Sequence, residues 1–174
     1  MSKYQRNGYQ WENSFQKSIK KYLPDAFIYK IMDTHSIEGL LTKLKKTHTE
    51  YQDFLIPKVP ADFMVIHQGR TIMIECKSTI KLDHFPLRNI KPHQIQMGVE
   101  IDGAGGEYIF AIQRDEPRNK RVFLISVNTL IAIQLKLGKK KVIPWHVMEK
   151  NPDVIELVRE KGSLFQMEAL LYVP

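Results

Sequence analysis

The sequence predicts an α/β chain, and three observations predict it. Apolar residues recur at three-to-four spacing over residues 9–23, and a second helical stretch opens with a proline near residue 91. Short runs rich in β-branched and aromatic residues, at 26–32, 62–67, 70–77, 107–113 and 122–127, read as strands. Turn-forming residues separate them, most plainly Gln68-Gly69 and Gly103-Ala104-Gly105-Gly106.

Taken in order, Trp11, Phe15, Ile19, Tyr22 and Leu23 form the inward stripe of a first helix that Pro24-Asp25 closes. Glu12 lies on the flank of that stripe, and as a first-turn carboxylate it would compensate the helix dipole. Ala26 to Met32 is a first strand. From Asp33 to Lys58 the composition turns basic and polar, with Lys43, Lys45 and Lys46 among Thr, Ser and Glu, while Ile37, Leu40, Leu41 and Leu44 keep helical spacing. Asp62–His67 and Arg70–Lys77 make a hairpin about Gln68-Gly69. Asp83–Ile90 reads as irregular because of Pro86. Lys91–Ile101 is a helix with Pro92 in its first turn, His93 and Gln94 at its start, and Ile95 and Val99 facing inward. Glu107–Gln113 and Val122–Val127 are strands, and Asn128 caps a helix running to Leu137. Gly138-Lys139-Lys140-Lys141 is a basic turn, read either as a phosphate contact or as a plain solvated turn, and a short helix is expected near Pro152–Lys161.

The hairpin carries the chemistry. Strand side chains alternate faces, so Thr71, Met73, Glu75 and Lys77 share one side, and Ile72, Ile74 and Cys76 the other. Glu75 and Lys77 thus project in parallel, ~7 Å apart at their α-carbons. Asp62 starts the partner strand, within reach of the same spot. Two carboxylates converging at a strand end make a hard oxygen site suited to Mg²⁺ or Mn²⁺. An adjacent ammonium can orient water or stabilise charge on a phosphoryl group, and together these parts suit phosphodiester hydrolysis. The bland alternative is an edge hairpin whose solvated face carries Asp, Glu and Lys. Cys76 points away from Glu75, which favours a buried structural thiol over a nucleophile. The six histidines show no zinc-type spacing.

Pro60-Ala61-Asp62 with Glu75-Cys76-Lys77 resembles the PD-(D/E)xK signature of the restriction-endonuclease-like nucleases. Gly8-Tyr9-Gln10-Trp11-Glu12 is similar to the amino-terminal Gly…Glu element of cellular Holliday junction resolvases. His84-Phe85-Pro86-Leu87-Arg88-Asn89-Ile90-Lys91-Pro92-His93-Gln94-Ile95 resembles the Phe-Pro-Leu…His-Gln-Ile segment of RecU-type resolvases, and Glu75-Cys76-Lys77-Ser78-Thr79 is similar to the archaeal Hjc type. The resemblance spans roughly residues 6–127, with 33–58 unmatched. It implies a restriction-endonuclease-like central mixed sheet flanked by helices. It also implies a Mg²⁺-dependent endonuclease, with Mn²⁺ as substitute, that resolves four-way junctions by paired nicks. Asp62, Glu75 and Glu12 would hold the metal, Lys77 would position or activate water, and Gln94 would assist, where the plain alternative for Gln94 is a helix cap. Lys3, Arg6, Lys43, Lys45, Lys46, Ser78, Thr79 and Arg88 are the expected DNA contacts, and a homodimer would offer two sites to a nearly two-fold junction. Residues 33–58 would form a stalk or arm, against a plain solvated insertion. Rivals are a nuclease of the same superfamily acting on linear duplex and a non-catalytic DNA-binding module.

Size and charge agree. The 174 residues, 43% hydrophobic, suit one domain (1–174) with a sizeable core and a carboxy-terminal extension at about 140–174. A net charge of +7 and a pI near 9.4 favour a polyanionic partner. No apolar run approaches the roughly 20 residues that cross a bilayer, the amino terminus lacks a signal-peptide core, and one cysteine fits a reducing cytoplasm without a disulfide framework.

Overall fold

The computed structural model describes residues 3–31, 59–116, 120–160 and 164–174, together with Thr42 and Lys46; the side chains of residues 3–7 lie outside that description. Helix α1 (Lys3–Tyr22) is followed by strands β1 (Phe27–Lys30), β2 (Phe63–His67), β3 (Arg70–Thr79) and β4 (His84–Pro86). A 3₁₀ turn (Leu87–Asn89) leads to α2 (Pro92–Gly103), β5 (Glu107–Arg114), β6 (Arg121–Ser126), α3 (Val127–Leu137), β7 (Val142–Pro144), the short α4 (Trp145–Glu149) and β8 (Val154–Glu156).

Six strands form one sheet in the order β1-β2-β3-β5-β6-β8. Only β3 and β5 run parallel, joined by the α2 crossover, and the other neighbours are antiparallel. This is the mixed sheet flanked by helices that the resemblance implies. The hairpin forms at Gln68-Gly69, with Phe63 opposite Ile74 and His67 opposite Arg70. Both turn residues have positive φ, 48° and 78°, the conformation of a tight two-residue β-turn.

Both faces of the sheet are buried. Trp11, Phe15, Ile19 and Leu23 of α1 pack on one face against Phe63, Val65, Ile72, Ile74, Ile109 and Leu124. On the other, α2, α3, α4 and the β4–β7 ribbon enclose Tyr108, Phe110, Ile112, Phe123, Ile125, Phe85, Ile143 and Trp145. The parallel pair is tied at its far end by Arg70, whose Nε and Nη2 each meet a Glu107 carboxylate oxygen at 2.6 Å while Nη1 donates to the Leu171 carbonyl.

Several sequence expectations are corrected. Helix α1 begins at Lys3, well before residue 9, so Glu12 sits well past the first turn, where dipole compensation is negligible. Asp83–Ile90 is not irregular: Pro86 sits in β4, whose only partner among the described residues is β7, and such an edge tolerates a residue without an amide hydrogen. Val99 is 46% exposed, and the buried positions of α2 are Gln94 and Gly98. A Cβ on Gly98 would lie 2.9 Å from Val127 Cγ2, so the helix rests on its neighbours through a bare backbone. The cap of α3 is Ser126, whose Oγ accepts from the Thr129 amide, while Asn128 donates to Asp102 of α2 at 2.9 Å. Around 152–161 a strand replaces the expected helix, because β-branched Val154 and Ile155 pair with Ile125 and Leu124 on β6. The last third is structural: Leu157, Phe165, Met167 and Leu170 are buried in the α1-side core. The arm of residues 33–58, with Lys43 and Lys45, lies outside the described residues, apart from Thr42 and an exposed Lys46, both helical.

Candidate active site

Asp62 stands where β2 begins. Its amide donates to the Ile74 carbonyl at 3.1 Å, and its own carbonyl accepts from the Ile31 amide at 2.9 Å. Held on both sides, Asp62 sits just outside the paired register, which begins at Phe63 opposite Ile74. Its Oδ2 accepts a 2.7 Å hydrogen bond from the Cys76 amide. The preceding turn is fixed by Tyr108, whose hydroxyl donates to the Pro60 carbonyl at 2.8 Å.

Glu75 is buried at 6% exposure, and one of its oxygens, Oε1, gathers two donors. Lys77 Nζ lies 2.7 Å away, the same-face neighbour that strand alternation predicts, and Gln94 Nε2 lies 2.6 Å away. Gln94 also accepts from the Lys91 amide through Oε1 at 2.9 Å. One side chain therefore caps the helix and donates to Glu75.

Removal from water pushes Asp62 up to about 7, and the neighbouring Glu75 carboxylate adds to the rise. Burial raises Glu75 as well, with Lys77 opposing it. Burial also raises the Cys76 thiol well above its ordinary range, which suits a structural thiol and not a nucleophile. Glu12 approaches from the α1 side of the sheet. Its negative charge raises both Asp62 and Glu75, yet its own carboxylate is paired with Lys30 Nζ at 2.8 Å. Lys30 was missed in the sequence. Its signal was only a lysine closing a strand, which most often means a solvated edge.

The structure thus brings Asp62, Glu75, Lys77 and Gln94 together, with Glu12 beside them in electrostatic reach. Among the described residues, no three His, Cys, Asp or Glu side chains form a ready-made metal cage. Ser78, Thr79 and Arg88 meet at a groove of about 450 Å³, lined also by Ile80, Lys81, Pro86, Asn89 and Asp115. Lys81 and Asn89 were not anticipated, because only the fold of β4 back toward the end of β3 makes them neighbours of Ser78. Lys3 and Arg6 have their backbone in α1, but their side chains lie outside the described residues. No helix among the described residues is long and apolar enough to cross a membrane.

The model of the RecU family, recombination protein U, matches residues 6–164. The chain belongs to the RecU family. The resemblance to Holliday junction resolvases carried by Gly8–Glu12 and Phe85–Ile95 is borne out, and the match reaches well past residue 127 into the last third. No curated protein matches the chain. Among solved structures, Hjc of Archaeoglobus fulgidus, a Holliday junction resolvase from an archaeal hyperthermophile, is similar at 17% identity over 64% of this chain and 86% of that one, with a TM-score of 0.33.

Proposed function

We propose that this RecU-family chain is a Mg²⁺-dependent endodeoxyribonuclease that resolves four-way DNA junctions by paired nicks in opposed strands. The observation that carries the reading is the convergence of Asp62, Glu75, Lys77 and Gln94 at one strand end, in a chain of that family.

The residues fit the metal. Two carboxylates lie close enough to interact, and burial raises both, with Glu75 adding to the rise at Asp62 and Lys77 opposing that at Glu75. Mg²⁺ is commonly held by one or two carboxylates, the rest of its shell being water and substrate phosphate, so a two-carboxylate site suffices. Asp62 and Glu75 would hold the ion, with Glu12 as an outlying contributor if it exchanges Lys30 for the site. When bound, the ion polarises a phosphoryl oxygen and acidifies water. The side chains supply the rest. Lys77 sits beside Glu75, where its ammonium can orient the attacking water or meet charge growing on the phosphorus. Gln94 fixes the rotamer of Glu75. The Cys76 amide fixes that of Asp62. Ser78, Thr79 and Arg88, further along the same strand and across the groove, would take the phosphates flanking the scissile bond.

A single site nicks one strand, so resolution needs two, and a homodimer with two-fold symmetry would place them on opposed strands. Mg²⁺-dependent cleavage of an immobile four-way junction, set against linear duplex of the same sequence, tests the reading. Paired nicks at the branch support it; equal cutting of both substrates would favour a general duplex nuclease.

A further inference from the structure

The β4–β7 ribbon lies on the sheet face that carries Glu75 and Lys77, and it has no part in the chemistry above. Its pairing, His84 with Pro144 through Pro86 with Val142, is prolonged by a 3.0 Å hydrogen bond from the Leu87 amide to the Lys141 carbonyl. That bond seats the exposed turn Lys139-Lys140-Lys141 next to Leu87-Arg88, and Arg88 lines the groove at the end of β3. The opposite wall is tied to the same ribbon. Trp145, immediately after β7, donates from Nε1 to the Lys81 carbonyl at 3.0 Å, and Lys81 also lines the groove. Trp145 is itself buried and stacked on Phe123, so the ribbon is anchored to the core. The carboxylate in the groove, Asp115, is met by Lys120 at 3.0 Å, so it does not cancel these cations.

We infer that the Lys139–Lys141 turn is a phosphate-contacting element that holds a duplex arm of the substrate DNA beside the cleavage site, continuing the track begun by Lys81 and Arg88. The inference rests on the reading of the site as a junction nuclease and assigns a DNA contact to a segment far from the nuclease signature. Lysines set on a fixed ribbon neutralise phosphates without reading bases, so their contribution belongs to affinity and its salt dependence.

The test is fluorescence anisotropy of a labelled four-way junction in chelator, from low to moderate salt, for wild-type protein and for Lys139→Ala/Lys140→Ala/Lys141→Ala. The expected result is an affinity about tenfold or more weaker near 0.1 M salt, and a slope of log K on log salt shallower by about 2 to 3. Lys→Arg at all three positions should restore both, and Lys20→Ala, on the opposite sheet face, should change neither. Unchanged affinity and slope in the alanine variant would overturn the inference while leaving the nuclease reading intact. Normal wild-type binding without cleavage on adding Mg²⁺ would instead overturn the nuclease reading. An alanine variant that weakens binding with no change of slope would also count against the inference, since a packing defect does that and lost phosphate contacts do not.

Discussion

Gln94 donates to the Glu75 oxygen that also meets Lys77, at 2.6 Å, while its own amide oxygen caps helix α2. One side chain therefore couples the start of a helix to the orientation of a carboxylate at a strand end. Gln94→Glu separates the two duties. A carboxylate can still accept from the Lys91 amide, but it cannot donate to Glu75 and adds a like charge beside it. Thermal stability should fall, more at pH 8 than at pH 5, because the added carboxylate is buried beside Glu75, and junction cleavage should fall at least about tenfold. Single-turnover cleavage alongside a melting curve checks this. An active variant would reduce Gln94 to a cap.

Asp62 gives the metal-free protein a pH signature. Its folded value, about 7, lies above the usual carboxylate range, so the folded state binds this proton more tightly than the unfolded chain. The stability tied to that proton is complete at low pH, below the ordinary carboxylate value, and is lost as pH rises through about 7. In chelator, wild type should melt lower at pH 8.5 than at pH 6, and Asp62→Asn should shrink that drop. Some drop should survive, because Glu75 is raised in the same direction. A wild-type melting point that climbs over that range would contradict the burial of these carboxylates.

Divalent binding should reverse that penalty. At pH 8, millimolar Mg²⁺ should raise the wild-type melting temperature by a few degrees through mass action on the folded state. The rise should be largely lost in Asp62→Asn and in Glu75→Gln. Calorimetry with and without the ion decides the matter.

The contact at Gly98 offers a structural test remote from the acidic groups. Adding a Cβ there brings it within 2.9 Å of Val127 Cγ2 and 3.0 Å of Tyr108 Cδ1, so α2 must shift outward. Gly98→Ala should cost about 1–3 kcal/mol of stability by overpacking. Because α2 carries Gln94, cleavage should fall as well. Denaturant unfolding measures the first effect and a cleavage assay the second.

The hairpin and the placement of its charged side chains were legible because two local rules agreed there. Gln68-Gly69 set the turn, and strand alternation then fixed Glu75 and Lys77 on one face and Cys76 on the other. The stripe of α1 was legible for the same reason: Trp11, Phe15 and Ile19 are all buried. What escaped was non-local. Pro86 breaks regular structure in isolation, but it is harmless in a ribbon whose partner, Val142, lies far along the chain. Val154 and Ile155 follow Pro152 and read as helical until β6 supplies a ladder. Val99 counted as inward because it is apolar, whereas Gly98, invisible to a hydrophobicity pattern, marks the close packing. The nearness of Asp62, Glu75 and Lys77 followed from spacing, whereas their roles came only through resemblance. Gln94 came through resemblance, and the pairing of Glu12 with Lys30 depends on α1 crossing β1, which no local pattern encodes.

The most direct test of the central claim is to incubate the protein with Mg²⁺ and an immobile four-way junction labelled on each strand in turn, then map the cuts. The account predicts paired nicks on two opposed strands near the branch, abolished in Asp62→Asn and Glu75→Gln proteins that still bind the junction. Cleavage that persists in either variant, or that proceeds fully in chelator, would contradict it.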